Sequence, residues 1–140
     1  MNFTNVTIDL EFGIYNGSMS AVVSSDQTII AKLDNIVDSI QHIECKIQLP
    51  NSITIELANK NEKYDTLLDN NKIVQDKYVK LSKLTLGNIP ITDLHSICQY
   101  THHGVSVADN YWGFNGSVKI EFDESEFILW HLKHNNKFSI

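Results

Sequence analysis

Arginine is absent. All eleven basic residues are lysine, against seventeen acidic ones, so the formal net charge is -6 over 140 residues. The guanidinium is the planar fork that grips phosphate and guanine with two bonds at once. An acidic chain without it, and without a lysine cluster, is not built to hold nucleic acid. No apolar run approaches the roughly 18 to 20 residues a membrane span needs. The N-terminus, MNFTNVTIDLEF, alternates apolar and polar residues. It has no basic n-region or apolar h-region, so neither a signal peptide nor a membrane partner is expected. Cysteine is scarce: Cys45 and Cys98 stand far apart with no metal or redox motif around them. Cys45 falls on the apolar parity of its run, which predicts a buried thiol. There is no Gly-rich phosphate loop and no nucleophile elbow. The chain is therefore expected to be a binding or assembly protein rather than an enzyme.

What the chain has in quantity is alternation. Val6, Ile8, Leu10, Phe12 and Ile14 share one face of a period-two pattern, and Thr7, Asp9 and Glu11 share the other. Asn16-Gly17 follows, a strong hairpin signal because both residues accept positive φ, and Met19, Ala21 and Val23 alternate on the return. Ile29, Ala31 and Leu33 form a further run, as do Ile43, Cys45, Ile47 and Leu49. After a turn at Pro50-Asn51, Ile53, Ile55 and Leu57 come back. Val79 and Leu81 are out of phase with Leu84 and Leu86, which predicts a β-bulge near Ser82-Lys83. Asp93 to Gln99 suits a short helical turn. Trp112, Phe114, Val118, Ile120 and Phe122 share the core parity, interrupted by Gly116, and Phe127 to Leu132 is apolar on both faces, as in a central strand. Many short strands separated by turns predict an all-β fold, an antiparallel β-sandwich of jelly-roll-like form, as one domain over residues 1–140.

Glu56 to Ile91 carries the main candidate site. Its acidic loop holds Asp65, Asp69 and Asp76, with Asn70 and Asn71 beside them. Calcium takes several oxygen ligands from carboxylates, amides and carbonyls on a flexible loop. The order of an EF-hand is missing, and the same residues also make an ordinary hydrated loop of Asx-turns. Zinc requires three or four converging ligands. His102 and His103 are adjacent and would point apart in an extended chain, while His131 and His134 end a strand-like run. A loop from His102 to Asn110 is flanked by Tyr100, Tyr111 and Trp112. Trp112 is expected in the core. Tyr111, on the opposite parity, is expected at the surface, where with Asn70 and Asn71 it could contact a glycan.

Two segments resemble a known family. Asn59-Lys60, Asp65-Thr66, Asp69, Ile73-Val74 and Asp76 match one pattern. Gly113, Phe114, Asn115, Gly116, Phe122 and Trp130 match its closing motif. Both are similar to segments of small β-sandwich virion proteins of contractile-tailed, notably marine, phages. The first also resembles the core of calcium-dependent carbohydrate-binding modules. The sequence departs at Asn71 and Asn88, where glycine is expected, at Gly87, where aspartate is expected, and at Glu126, where proline is expected. The resemblance covers mainly residues 52–132, leaving 29–49 as an extra hairpin. It implies a structural protein that decorates or completes the virion at head, neck or tail, with other virion proteins as partners. Docking by strand addition would use the first strand or the tail Lys133 to Ile140. The alternative it implies is a carbohydrate-binding module with calcium at Asp65, Asp69 and Asp76.

Overall fold

Successive side chains of a strand point to opposite faces, so alternation in sequence becomes a buried face and an exposed one. The computed structural model describes residues 3–15, 17–48, 51–58, 67–69, 72–75, 77–87, 89–113 and 115–122. In β1 (Phe3–Gly13), Val6, Ile8, Leu10 and Phe12 are at most 1% exposed. The chain continues through β2 (Met19–Ser25), β3 (Thr28–Ile36), β4 (Ser39–Gln48) and β5 (Asn51–Ala58). Then come β6 (Leu67–Asp69), β7 (Lys72–Gln75), β8 (Tyr78–Leu86), β9 (Ile89–Pro90) and the single helical turn α1 (Leu94–Ile97). It ends, among the described residues, with β10 (Cys98–His102), β11 (Val105–Ala108), β12 (Tyr111–Trp112) and β13 (Gly116–Phe122).

One sheet runs β12-β8-β1-β4, with β9 also on β8. The other runs β11-β10-β13-β5-β2-β3, and β6 pairs with β7 in a separate ribbon. The inward faces of the two large sheets meet in one apolar core, with Ile8 and Leu10 from the first and Val23, Ile55 and Val118 from the second. This is the antiparallel all-β sandwich that the alternation predicts. The helical turn expected near Asp93 is α1, where the Ser96 hydroxyl donates to Asp93 Oδ1 at 3.0 Å.

The turns are used differently from their local signals. Asn16-Gly17 does not close a hairpin: β1 pairs with β4 and β8, while β2 pairs with β3 and β5. The turn instead carries the chain from one sheet to the other. Both edges of β1 are occupied, so β2 has no row of β1 hydrogen-bonding groups to join. Gly17 has the positive φ expected of it, 74°; Asn16 lies outside the described residues. The chain likewise changes sheets from β4 to β5, which begins at Asn51; Pro50 lies outside the described residues. Residues 29–49 are not an added hairpin either, because β3 and β4 lie at edges of opposite sheets. The tight hairpins are elsewhere. Asp26-Gln27, with φ of 49° and 64°, joins β2 to β3, and His103-Gly104, with φ of 49° and 76°, joins β10 to β11. Positive φ at both central residues gives the turn whose twist suits paired strands. The expected 102–110 loop is therefore largely strand.

The bulge falls where the phase flip puts it. Asp9 pairs with Lys83 and Leu10 with Leu81, so Ser82 is the extra residue. Its hydroxyl donates to the Asp9 carbonyl at 3.2 Å. The insertion returns Leu84 and Leu86 to the face of Val79 and Leu81, and all four are buried. The two cysteines are free thiols. Cys45 is only half-buried because β4 is an edge strand, covered on one flank alone; burial still raises its pKa. Cys98 is fully buried, and that burial, with the Asp109 charge second, pushes its thiol up to about 12. The strand expected over 127–132, His131, His134 and the tail 133–140 lie outside the described residues.

Ile8 stands at the middle of the doubly paired β1 with no exposed surface. Ile8→Ala leaves a cavity with strands locked on both sides, and is expected to cost about 2–5 kcal/mol in a urea titration. A loss under 1 kcal/mol would mean that the two sheets do not meet at this residue.

Candidate functional site

Trp112 fixes the candidate site. Its ring is fully buried and lies 6.4 Å from the Tyr100 ring. The indole N–H donates to the Asp109 carbonyl at 2.7 Å, so the buried donor is satisfied. Asn110 ties the same segment to β8 twice. Its carbonyl accepts from the Leu81 N–H at 2.9 Å, and its side-chain amide donates to the Leu81 carbonyl at 3.0 Å. The Tyr111 N–H donates to Asp109 Oδ1 at 3.0 Å. With Trp112 inward, alternation turns Tyr111 outward, and it is 40% exposed as predicted.

The Tyr111 ring stacks on Tyr78, with centroids 4.6 Å apart and planes 24° from parallel. The Tyr78 ring in turn lies against Gly13, its partner in the register. A β-carbon at Gly13 would come within 2.1 Å of the Tyr78 ring, so glycine is what permits the contact. The Tyr78 hydroxyl donates to Glu11 Oε2 at 2.9 Å. That bond holds the phenol protonated and raises its pKa, with partial burial and the charges of Glu11 and Asp38 adding to the effect. Asp38 itself accepts from the Ile14 N–H at 2.9 Å. The result is a two-ring aromatic stack with a carboxylate at its edge, mounted on rigid strands.

Further along the same outer face, His42 on β4 bridges two strands. Its Nδ1 meets Asp9 of β1, and its Nε2 lies 3.0 Å from Glu44 Oε1. The Glu44 and then the Asp9 hydrogen bond raise the His42 pKa. The Thr7 and Thr85 hydroxyls are hydrogen-bonded to each other one row on.

The acidic loop is only partly described. Asp69 ends β6 and pairs with Lys72 of β7, so Asn70-Asn71 is the connection between them. Asp65, Asn70, Asn71 and Asp76 lie outside the described residues. Among the described residues, no group of three or more His, Cys, Asp or Glu side chains could hold a metal. The chemistry of the Asp65, Asp69 and Asp76 set, hard carboxylate oxygens beside amides, suits calcium. β8 begins at Tyr78, two residues after Asp76 in the sequence. The histidine pair differs from expectation. His102 and His103 do not point apart, because the tight turn at His103-Gly104 brings their rings to 3.9 Å, and His102 Nδ1 lies 2.6 Å from the Asn115 carbonyl.

Sequence reasoning found Tyr111 and missed Tyr78, Glu11 and Gly13. Tyr78 and Glu11 were on the outward parity of their strands, and a glycine directly after Phe12 was the one local signal. Only the register of β1 with β8, Gly13 opposite Tyr78 and Glu11 opposite Lys80, brings them together.

No protein-family model matches the chain, and no curated protein matches it in sequence. Solved structures share its fold. One is vCBM60 in complex with galactobiose, at TM-score 0.56 and 11% identity, covering 84% of this chain and 97% of that one. Another is the selenomethionine form of vCBM60, at TM-score 0.54 and 10% identity, covering 84% of this chain and 90% of that one. It was described in linking, by circular permutation, two families of calcium-dependent carbohydrate binding modules.

The His42 bridge gives a signed pH dependence. A folded-state pKa above the ordinary 6.5 means that the bridge stabilises fully below pH 6.5 and is lost as pH rises through the raised value. The Tm advantage of wild type over His42→Gln is expected to be largest in mildly acidic buffer and to vanish in alkaline buffer. Parallel Tm profiles across that range would show that the bridge does not form in solution.

Proposed function

We propose that this chain is a carbohydrate-binding module that holds a glycan against the Tyr78–Tyr111 stack and takes calcium at Asp65, Asp69 and Asp76. The observation that carries the reading is the exposed Tyr111 ring, held by a buried tryptophan and a bidentate asparagine. It stands on a sandwich whose fold resembles that of the galactobiose-bound vCBM60. An aromatic face offers apolar surface to the C–H side of a sugar ring, and a neighbouring carboxylate accepts from its hydroxyls. Stacking on Tyr78 also fixes the Tyr111 rotamer beforehand, so little side-chain entropy is lost when a ligand arrives. Calcium, when bound, supplies a hard centre for hydroxyl oxygens. Asp65, Asp69 and Asp76 would hold it, and the departure at Gly87 leaves these three as the carboxylates of the set.

The phage resemblance is compatible with this reading. A glycan-binding sandwich mounted on a virion would be made in the host cytoplasm, join other virion proteins and recognise host or surface polysaccharide.

Glycan-array screening followed by calorimetry, with calcium and with chelator, tests the proposal. Retention of at least one glycan is expected, with affinity about tenfold lower for Tyr111→Ala. Calcium should raise the Tm of wild type and leave that of Asp69→Asn nearly unchanged, because a ligand of the native state stabilises it. Failure to retain any glycan in saturating calcium would sink the reading.

A further inference from the structure

The outward face of the β12-β8-β1-β4 sheet continues well past the aromatic stack. Tyr111, Lys80, Glu11 and Ile40 stand opposite one another on four successive strands. The next rows are Lys83, Asp9 and His42, then Thr85, Thr7 and Glu44. Both ends of the first row are apolar and open: Tyr111 is 40% exposed and Ile40 is 62% exposed. They are separated by three strand spacings, about 14 Å at about 4.8 Å each. Between them lie hydrogen-bonding side chains, and the whole row is presented by strands rather than loops.

Charges of both signs alternate across this face, and its carboxylates are engaged. Asp9 and Glu44 are bound to His42, Glu11 accepts from Tyr78, and Lys80 and Lys83 sit opposite Glu11 and Asp9 in the register. A polyanion would meet fixed carboxylates and no arginine. A polycation would meet lysines. A neutral chain of hydroxyls meets donors and acceptors of both kinds, at no cost in unpaired charge.

We infer that the ligand of this module is an internal stretch of a neutral polysaccharide, longer than a disaccharide, lying across the strands from Tyr111 to Ile40. The inference rests on the carbohydrate-binding reading above and adds its extent, direction and charge class. Tyr111 takes one sugar ring and Ile40 takes another on the far strand. Lys80, Glu11 and the Asp9–His42 pair take hydroxyls between them. Occupying both apolar ends requires a chain, so affinity depends on length.

Calorimetry in saturating calcium tests this with galactobiose, longer linear galacto-oligosaccharides and oligogalacturonates of the same lengths. Affinity is expected to rise about tenfold or more from galactobiose to the longer galacto-oligosaccharides, and the oligogalacturonates are expected to bind more weakly at each length. Ile40→Thr, exposed and still β-branched, should erase the gain with length, and His42→Ala should reduce it; unchanged Tm at pH 8 checks folding of both. Equal affinity at all lengths, a length gain that survives Ile40→Thr, or tighter binding of oligogalacturonates would each overturn the inference. Binding of none of these saccharides, with other glycans retained on the array, would overturn it while leaving the carbohydrate-binding reading standing.

Discussion

Strand β1 is hydrogen-bonded along both edges, to β4 on one side and β8 on the other, and it buries Val6, Ile8, Leu10 and Phe12 on one face. A strand in that position has no freedom of register: a slip of one residue would move Val6, Ile8, Leu10 and Phe12 into water and Asp9 and Glu11 into the core. Each fully buried side chain of this size contributes about 1.5–3 kcal/mol relative to exposure, so the slip is prohibitive. With β1 fixed, Gly13 lies under Tyr78, Glu11 faces Lys80, and Asp9 faces both Lys83 and His42. The outward chemistry of the sheet is therefore set by inward packing.

The same coupling operates at β12. This element has only two residues, too short to hold itself by backbone pairing alone. Trp112 on the inside and Asn110 on the rim do that work, and Tyr111 is carried to the surface between them. Burying an aromatic residue to aim its neighbour is an economical way to build a stiff contact point. An exposed aromatic on a loose loop would lose more conformational freedom on binding. The stack on Tyr78 extends this stiffness to the surface, and the glycine beneath Tyr78 lets the pair lie close to the sheet.

The bulge at Ser82 shows how one inserted residue reconciles two demands. β8 must present Val79 and Leu81 inward near β12, and Leu84 and Leu86 inward farther along. Strict alternation cannot place 81 and 84 on one face, and one extra residue can. Because the phase flip is written in the residues themselves, it was readable before any pairing was known. The hairpin at Asn16-Gly17 was not. That dipeptide specifies a chain reversal with positive φ, and a reversal serves equally well within a sheet or between two.

The sequence by itself determined the strand periodicity, the buried and exposed faces, the bulge, the inward Trp112 and the outward Tyr111, since each depends on which residues alternate within a few positions. It also determined the lack of arginine and of any catalytic motif. Only the tertiary structure decided which strands pair, that the chain changes sheets from β1 to β2 and from β4 to β5, and that β3 and β4 lie at edges of opposite sheets. It also decided that Tyr78, Glu11 and Gly13 join Tyr111. The reason is physical: alternation fixes a side chain's face, whereas its neighbours across a sheet are fixed by long-range register, which is a property of the whole core. Tyr111 and Tyr78 are far apart in the chain and 4.6 Å apart in space, and nothing local to either residue encodes that distance.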